Sequence, residues 1–192
     1  MATEKDRLDA KNHWEELYHS TSPGKVSWYQ ENPATSLDFI EKTGLPKEAP
    51  ILDVGSGAST LVDQLLLRGY RNLALLDVST KALLLTRQRL GGKATDVVWH
   101  HGDVTQYPLP EQYSLWHDRA AFHFLVDPSD RRAYVTSLRQ GLRPQGHLIL
   151  ATFAVGGPTR CSGLDVTQYD TQKITTELGQ DFRLIETLEE LH

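Results

Sequence analysis

Apolar residues in this chain fall into short blocks. Ile51 to Val54 is apolar apart from Asp53, Leu73 to Leu76 is wholly apolar, and Asp96 to His101 and Tyr113 to Asp118 carry aromatic and β-branched side chains. Short runs of this kind suit strands buried on both faces of a parallel sheet. Between them, Leu61 to Leu67, Thr80 to Leu90 and Ser129 to Gly141 read as helices, the second stopped by Gly91-Gly92 and the third capped by Ser129 or Asp130. Leu142 to Phe153 reads as a turn and a fifth strand. Ala154 to Tyr169 reads as a long loop, Thr171 to Leu178 as a short helix and Phe182 to Leu188 as a sixth strand. Ahead of these, residues 4 to 19 predict a helix with Leu8, Trp14, Leu17 and Tyr18 as apolar contacts. Ser20 to Gly24 predicts a turn, and Pro33 to Thr43 a second helix closed by Gly44. Strands alternating with helices predict an α/β, three-layer, doubly wound and mostly parallel sheet.

Composition narrows the class. The 192 residues suit one domain, and 39% hydrophobic against 23% charged residues marks a globular chain rather than a disordered one. The net charge of −5, with no basic run, argues against duplex nucleic acid as a partner, because neutralising phosphates needs clustered Lys and Arg. It leaves room for a small cationic substrate. Cys161 is the lone cysteine, so no intrachain disulfide is expected and a reducing, cytoplasmic setting is. The polar start, Met1 to Asp6, leads into no apolar stretch, so neither a signal peptide nor a membrane span is expected.

The chemistry gathers where the first strand meets two glycines. Ile51-Leu52-Asp53-Val54-Gly55-Ser56-Gly57 followed by an apolar helix is a strand, a glycine turn and a helix. Gly55 and Gly57 let the backbone turn sharply and approach a ligand closely. Asp77 ends the second strand, 20 residues past Gly57, the spacing at which an acid meets a ribose diol in nucleotide-binding βαβ units. A dinucleotide fingerprint would need glycine where Thr60 stands.

The D-V-G-S-G turn, the acid closing the second strand and Gly102-Asp103 after the third resemble the class I S-adenosylmethionine (SAM)-dependent methyltransferases. That resemblance covers roughly residues 12 to 190. It implies SAM as cofactor and S-adenosylhomocysteine as product, and a Rossmann-like sheet of order 3-2-1-4-5. The antiparallel seventh strand that normally pairs with the fifth and sixth is not expected from the few residues after the predicted sixth strand, so the edge is expected to stay open or to be closed by another element. The resemblance implies a cofactor site of Asp53, Gly55, Ser56, Gly57, Asp77, Val78, Asp103, Val104 and Asp118. Asp103 would accept from the adenine amino group, with Val104 beside the ring.

His13-Trp14-Glu15-Glu16-Leu17-Tyr18 with Ser27-Trp28-Tyr29-Gln30 resembles the leader of a subgroup that includes eukaryotic lysine methyltransferases acting on elongation factors. There the leader, here residues 1–48, folds over the cofactor. By that resemblance Trp28 and Tyr29 line the pocket, while packing alone accounts equally well for Trp14 and Tyr18. Asp118-Arg119 resembles a pair found in the same subgroup and in thiopurine methyltransferase. Asp118 would orient an amine nucleophile or pair with Arg119. His117 and His123 are candidate general bases, since imidazole titrates near neutral pH.

Other chemistries fit less well. His100, His101, Asp103, His117 and Asp118 are metal-ligand types, but the implied sheet order separates the third strand from the fourth. A serine hydrolase would need a G-x-S-x-G elbow, and arsenite methylation would need several cysteines. Three readings remain: a SAM-dependent methyltransferase acting on a protein lysine or a small nitrogen or sulfur nucleophile, a nicotinamide-dependent oxidoreductase, and a SAM-binding protein without activity. The sequence leaves the oligomeric state open.

Overall fold

The computed structural model describes residues 4–191. The chain opens with helix α1 (Glu4–Ser20) and α2 (Ala34–Lys42), joined through a short 3-10 turn. Then come β1 (Ile51–Val54), α3 (Leu61–Leu67), β2 (Leu73–Asp77), α4 (Thr80–Leu90), β3 (Val97–His101), β4 (Tyr113–Arg119), α5 (Pro128–Gly141) and β5 (Leu142–Ala151). A two-residue hairpin, β6 (Arg160–Cys161) and β7 (Leu164–Asp165), precedes α6 (Thr171–Leu178).

Strands β1 to β5 form one parallel sheet of order β3-β2-β1-β4-β5, with Ile51 opposite Leu73 on one side and Leu115 on the other. Alternation along each strand splits the core into two layers. Ile51, Leu73, Leu75 and Leu115 pack under α2, α3 and α4, against Leu37, Ile40, Leu61, Leu65 and Leu83. Leu52, Val54, Leu76 and Trp116 face the other way, onto Tyr134, Val135 and Leu138 of α5 and Leu178 of α6. Each such side chain, removed from water, stabilises the fold by about 1.5–3 kcal/mol. The same alternation sends Asp53 and His117 toward α2, and Asp118 toward α5.

Four local expectations are corrected. Helix α5 starts one residue earlier than expected, and its cap is Asp127, whose carboxylate accepts the Ser129 N–H at 2.6 Å, so Pro128 takes the first helical position where no donor is needed. Gly91 does end α4, but residues Gly91–Asp96 wind on as a 3-10 turn. The loop after β5 carries the β6–β7 hairpin. Residues 182–188 form no strand. The segment is held instead by side chains on the leader: Lys42 pairs with Glu186 at 2.7 Å, and just beyond it Glu190 accepts from Gln30 and Thr35. Among the described residues no strand pairs with the outer edge of β5, and no helix is long and apolar enough to cross a membrane.

Candidate active site

The site lies where β1, β2, β3 and β4 end, since ligands of open α/β sheets bind outside the carboxyl ends of the strands. At the end of β1 the chain reverses through Gly55 and Gly57, with φ of +61° and +53°. The space is as restrictive as the angle. A Cβ at Gly55 would strike the Ala121 methyl, and one at Gly57 would strike the Tyr18 hydroxyl. Between them Ser56 is buried, and its hydroxyl has no hydrogen-bond partner among the described residues.

Asp77 closes β2 beneath this turn. One carboxylate oxygen accepts the Gly57 N–H at 2.7 Å and the other the Ser79 N–H at 2.8 Å. Burial pushes its pKa up to about 6, although both N–H bonds oppose that shift. Each oxygen keeps lone-pair capacity for a further donor, as a ribose hydroxyl requires. Val78 follows half-buried, its carbonyl 3.1 Å from the His101 ring. Asp103, after β3, accepts from the Thr105 N–H and hydroxyl through one oxygen, at 2.8 and 2.7 Å. Val104 beside it packs on the α5-side core.

The leader closes over the turn. Glu15 of α1 accepts from the Ser79 hydroxyl at 2.7 Å and the Lys81 N–H at 3.1 Å, so it docks on the start of α4. Those hydrogen bonds outweigh partial burial and hold its carboxyl below the ordinary value. Tyr18, one turn on, is buried against Gly57, with burial and the nearby Asp77 pushing its phenol well up. Trp28 meets Trp14 edge-on at 5.9 Å, and Trp14 meets Phe124, beyond β4, at 4.9 Å. Tyr29 turns outward and is 37% exposed. Thr60, standing where a dinucleotide fingerprint has glycine, donates its hydroxyl to the Gln30 carbonyl at 2.8 Å. The side chain that breaks that fingerprint therefore pins the leader.

The end of β4 divides its polar residues between the two faces. His117 lies 2.7 Å from Asp53 through Nδ1 and 2.9 Å from the Ser36 hydroxyl through Nε2, and all three are buried. Both ring nitrogens are thus engaged in a chain linking α2, β4 and β1. Asp118 is fully buried on the opposite face. It accepts from the Tyr134 hydroxyl at 2.6 Å and from the Ala121 and Phe122 N–H groups at 2.8 and 3.1 Å. Burial raises its pKa to about 6. The expected alternative of an Asp118–Arg119 pair is corrected. Adjacent strand residues point apart, and Arg119 donates instead to the Trp28 carbonyl at 3.0 Å. Asp118 holds the turn at Ala120, which adopts φ +77°, a region that disfavours a side chain.

Sequence reasoning missed Tyr18 as a site residue and did not join Ser36 to Asp53 and His117. The spacing of Trp14 and Tyr18 marks one helical face, but nothing local says that this face lands on Gly57. Among the described residues no group of three His, Cys, Asp or Glu side chains could hold a metal ion.

This arrangement suits a nucleoside cofactor with a charged tail. A glycine turn without room for side chains, an orphaned hydroxyl within it, a ribose-type acid and an adenine-type acid follow one another along the strand ends. Comparison with known proteins agrees. Residues 51–146 match the family described as "Methyltransferase domain". The chain is 26% identical to EEF1A lysine methyltransferase 2 of Danio rerio over 161 residues, covering 76% of this chain and 69% of the relative. Among solved structures, the glycopeptide N-methyltransferase MtfA complexed with SAM is 23% identical, with a TM-score of 0.55, covering 68% of this chain and 58% of that one. A protein solved in work on conversion of a disulfide bond into a thioacetal group during echinomycin biosynthesis reaches a TM-score of 0.63 at 23% identity, over 75% of this chain and 59% of that one. The chain thus spans less than two thirds of the length of these structures. A nicotinamide enzyme is not favoured. With half of its length under the family match and the glycine turn, Asp77 and Asp103 in register at the strand ends, the chain belongs to the methyltransferase-domain family, the S-adenosylmethionine-dependent methyltransferases.

Proposed function

We propose that this protein transfers a methyl group to an amine, either a protein lysine or a small-molecule amine, with a thiol as the second class of acceptor. The observation that carries the reading is the leader. Trp14, Tyr18 and Trp28 roof the glycine turn and reach Phe124 at the end of β4, which leaves the acceptor a path between this roof and the loop after β5. The lysine methyltransferase relative, 26% identical, supports an amine acceptor. We read residues 1–192 as one domain with 1–48 as its leader, acting in the cytoplasm on a small molecule or protein rather than on duplex nucleic acid. The acidic balance and the lone Cys161 support that setting.

The cofactor supplies a methyl group made electrophilic by its sulfonium. The chain's residues bind, orient and exclude water. Asp77 accepts the ribose hydroxyls, Asp103 accepts the adenine amine beside Val104, and the Ser56 hydroxyl and the glycine turn meet the remaining polar groups. Trp28 closes the pocket, with Tyr29 at its exposed rim, and closure keeps water from the reacting centre. Methyl transfer is an in-line displacement, so holding the partners in line provides much of the rate. In this reading Asp118 acts through the turn it anchors. The chain Ser36–His117–Asp53 holds α2 against the cofactor strand.

The test is a screen of lysine peptides, small amines and thiols with SAM, followed by Asp118→Asn. Turnover should fall at least tenfold with SAM affinity near normal, since a turn that misplaces the reacting groups by about 1 Å can cost about 10²-fold. Loss of SAM binding would place Asp118 in the cofactor shell instead, and no effect on either would leave it purely structural. If SAM binds and no acceptor is methylated, the protein is a SAM-binding protein without this activity.

A further inference from the structure

His123 stands in the short 3-10 turn Phe122–Phe124 that follows β4, and it is 1% exposed. Its ring stacks on Phe153 at 4.9 Å and 9°, just past the end of β5, and meets Phe124 at 4.5 Å. Through Phe124 it continues the ring contacts of Trp14 and Trp28. Its carbonyl accepts the Thr167 N–H at 2.8 Å, so the loop after β5 is anchored on the same residue. The ring therefore lies where the leader, the end of β4 and the β5 loop converge. Two residues before it, Ala121 abuts Gly55 of the glycine turn.

Neither Nδ1 nor Nε2 of His123 has a hydrogen-bond partner among the described residues. This is unlike His117 and His100, each of which has both ring nitrogens within hydrogen-bonding reach of a partner. Buried polar groups are normally satisfied, so an imidazole with two unmet nitrogens calls for an explanation. Packing does not give one, because a phenyl ring would fill the same aromatic slot without that penalty.

We propose that His123 is a catalytic residue that accepts a hydrogen bond from the N–H of the nucleophilic amine. The inference rests on the methyltransferase reading above and adds the group that touches the acceptor. A neutral amine has an N–H to donate and a lone pair to attack with. Donation to a fixed ring nitrogen aims the lone pair. As the nitrogen gains its fourth bond it becomes cationic and its N–H becomes a stronger donor. The bond to His123 therefore tightens in the transition state, which is the condition for acceleration rather than mere binding.

Magnitude separates this role from that of a general base. Burial lowers the His123 pKa to about 4, with no charged group acting on it. An alkylammonium holds its proton about a million times more tightly than such an imidazole. His123 therefore orients an amine that has already released its proton to solvent.

The test compares the wild-type protein with His123→Phe and His123→Asn. Calorimetry with S-adenosylhomocysteine comes first, and absence of binding to the wild-type protein would overturn the underlying methyltransferase reading. With binding established, the ring-nitrogen resonances of His123 are followed by NMR while N-acetyl-lysine methylamide or benzylamine is added. A shift at His123 is expected, and no shift with either probe would overturn this proposal alone. His123→Phe should bind the cofactor within about twofold of wild type and melt no lower. Its kcat should fall about 10–100-fold, the worth of one charge-assisted hydrogen bond, with a smaller change in KM. His123→Asn, which keeps an acceptor, should recover part of kcat. A lower melting temperature with unchanged kcat would make the imidazole a packing residue and overturn the proposal.

Discussion

Asp77 and Asp118 both carry buried carboxyl groups. Each is pushed up to about 6 chiefly by burial, from an ordinary value of 3.8. A carboxyl whose folded pKa is raised favours the folded state most when protonated, and loses that contribution as pH rises from the unfolded value to the folded one. For Asp118 the window runs from about pH 4 to about pH 6, and the loss is on the order of 3 kcal/mol. Urea denaturation of wild type and Asp118→Asn at pH 4 and pH 7 should show the wild type losing stability relative to the variant as pH rises. Equal pH dependence in the two proteins would refute the assignment. Asp77 makes a second prediction with the opposite sign for binding. Ribose hydroxyls favour the charged acceptor, so SAM affinity should weaken as pH falls below about 6. At neutral pH Asp77→Ala should lose more than tenfold, since a hydrogen bond to a charged group contributes about 1.5–3 kcal/mol. Affinity unchanged in calorimetry would remove Asp77 from the site. The variant also frees the Gly57 N–H, so the comparison includes Asp77→Asn.

At the scale of elements, the leader and the glycine turn act as one unit. Gly57→Val would force a β-branched residue into a positive φ and against the Tyr18 hydroxyl. SAM binding should be abolished while thermal unfolding stays cooperative, and normal binding by the valine variant would move the cofactor elsewhere. Glu15 ties α1 to α4 by two hydrogen bonds at a partly exposed position, so Glu15→Ala should cost about 1 kcal/mol locally rather than globally. Amide exchange in α1 should speed up while β1 stays protected. If α1 and β1 lost protection together, the leader would be part of the global folding unit.

For the whole molecule, the sheet is unequally protected. β1 is paired and buried on both sides, while much of β5 is only half-buried and its outer edge is unpaired among the described residues. Amides of β1 should exchange only through global unfolding, and those of β5 directed outward should exchange far faster. Uniformly slow exchange along β5 would mean that the edge is covered in solution. An open edge of this kind also invites pairing with another strand.

Much of this was legible in the sequence because it is written in local pattern. Continuous apolar runs gave β1 and β2 their place inside a parallel sheet, and Gly55 and Gly57 marked a turn that only glycine accommodates. The 20-residue spacing put Asp77 at a strand end, and the resemblance carried by these motifs supplied the strand order. Segment 182–188 forms no strand because an apolar stretch states a preference for extension and not where the segment docks, and here the Lys42–Glu186 pair ties it to α2. The side chains around the glycine turn were decided by tertiary structure alone. Period-two alternation says that His117 and Asp118 face apart, but only the pairing of β1 with β4 gives the first Asp53, and only the packing of α2 and α5 gives the first Ser36 and the second Tyr134. Tyr18 over Gly57, Thr60 under the leader and His123 on Phe153 join residues far apart in the chain. Local propensity acts over a few neighbouring residues, whereas these contacts form only once the sheet has fixed where each strand ends.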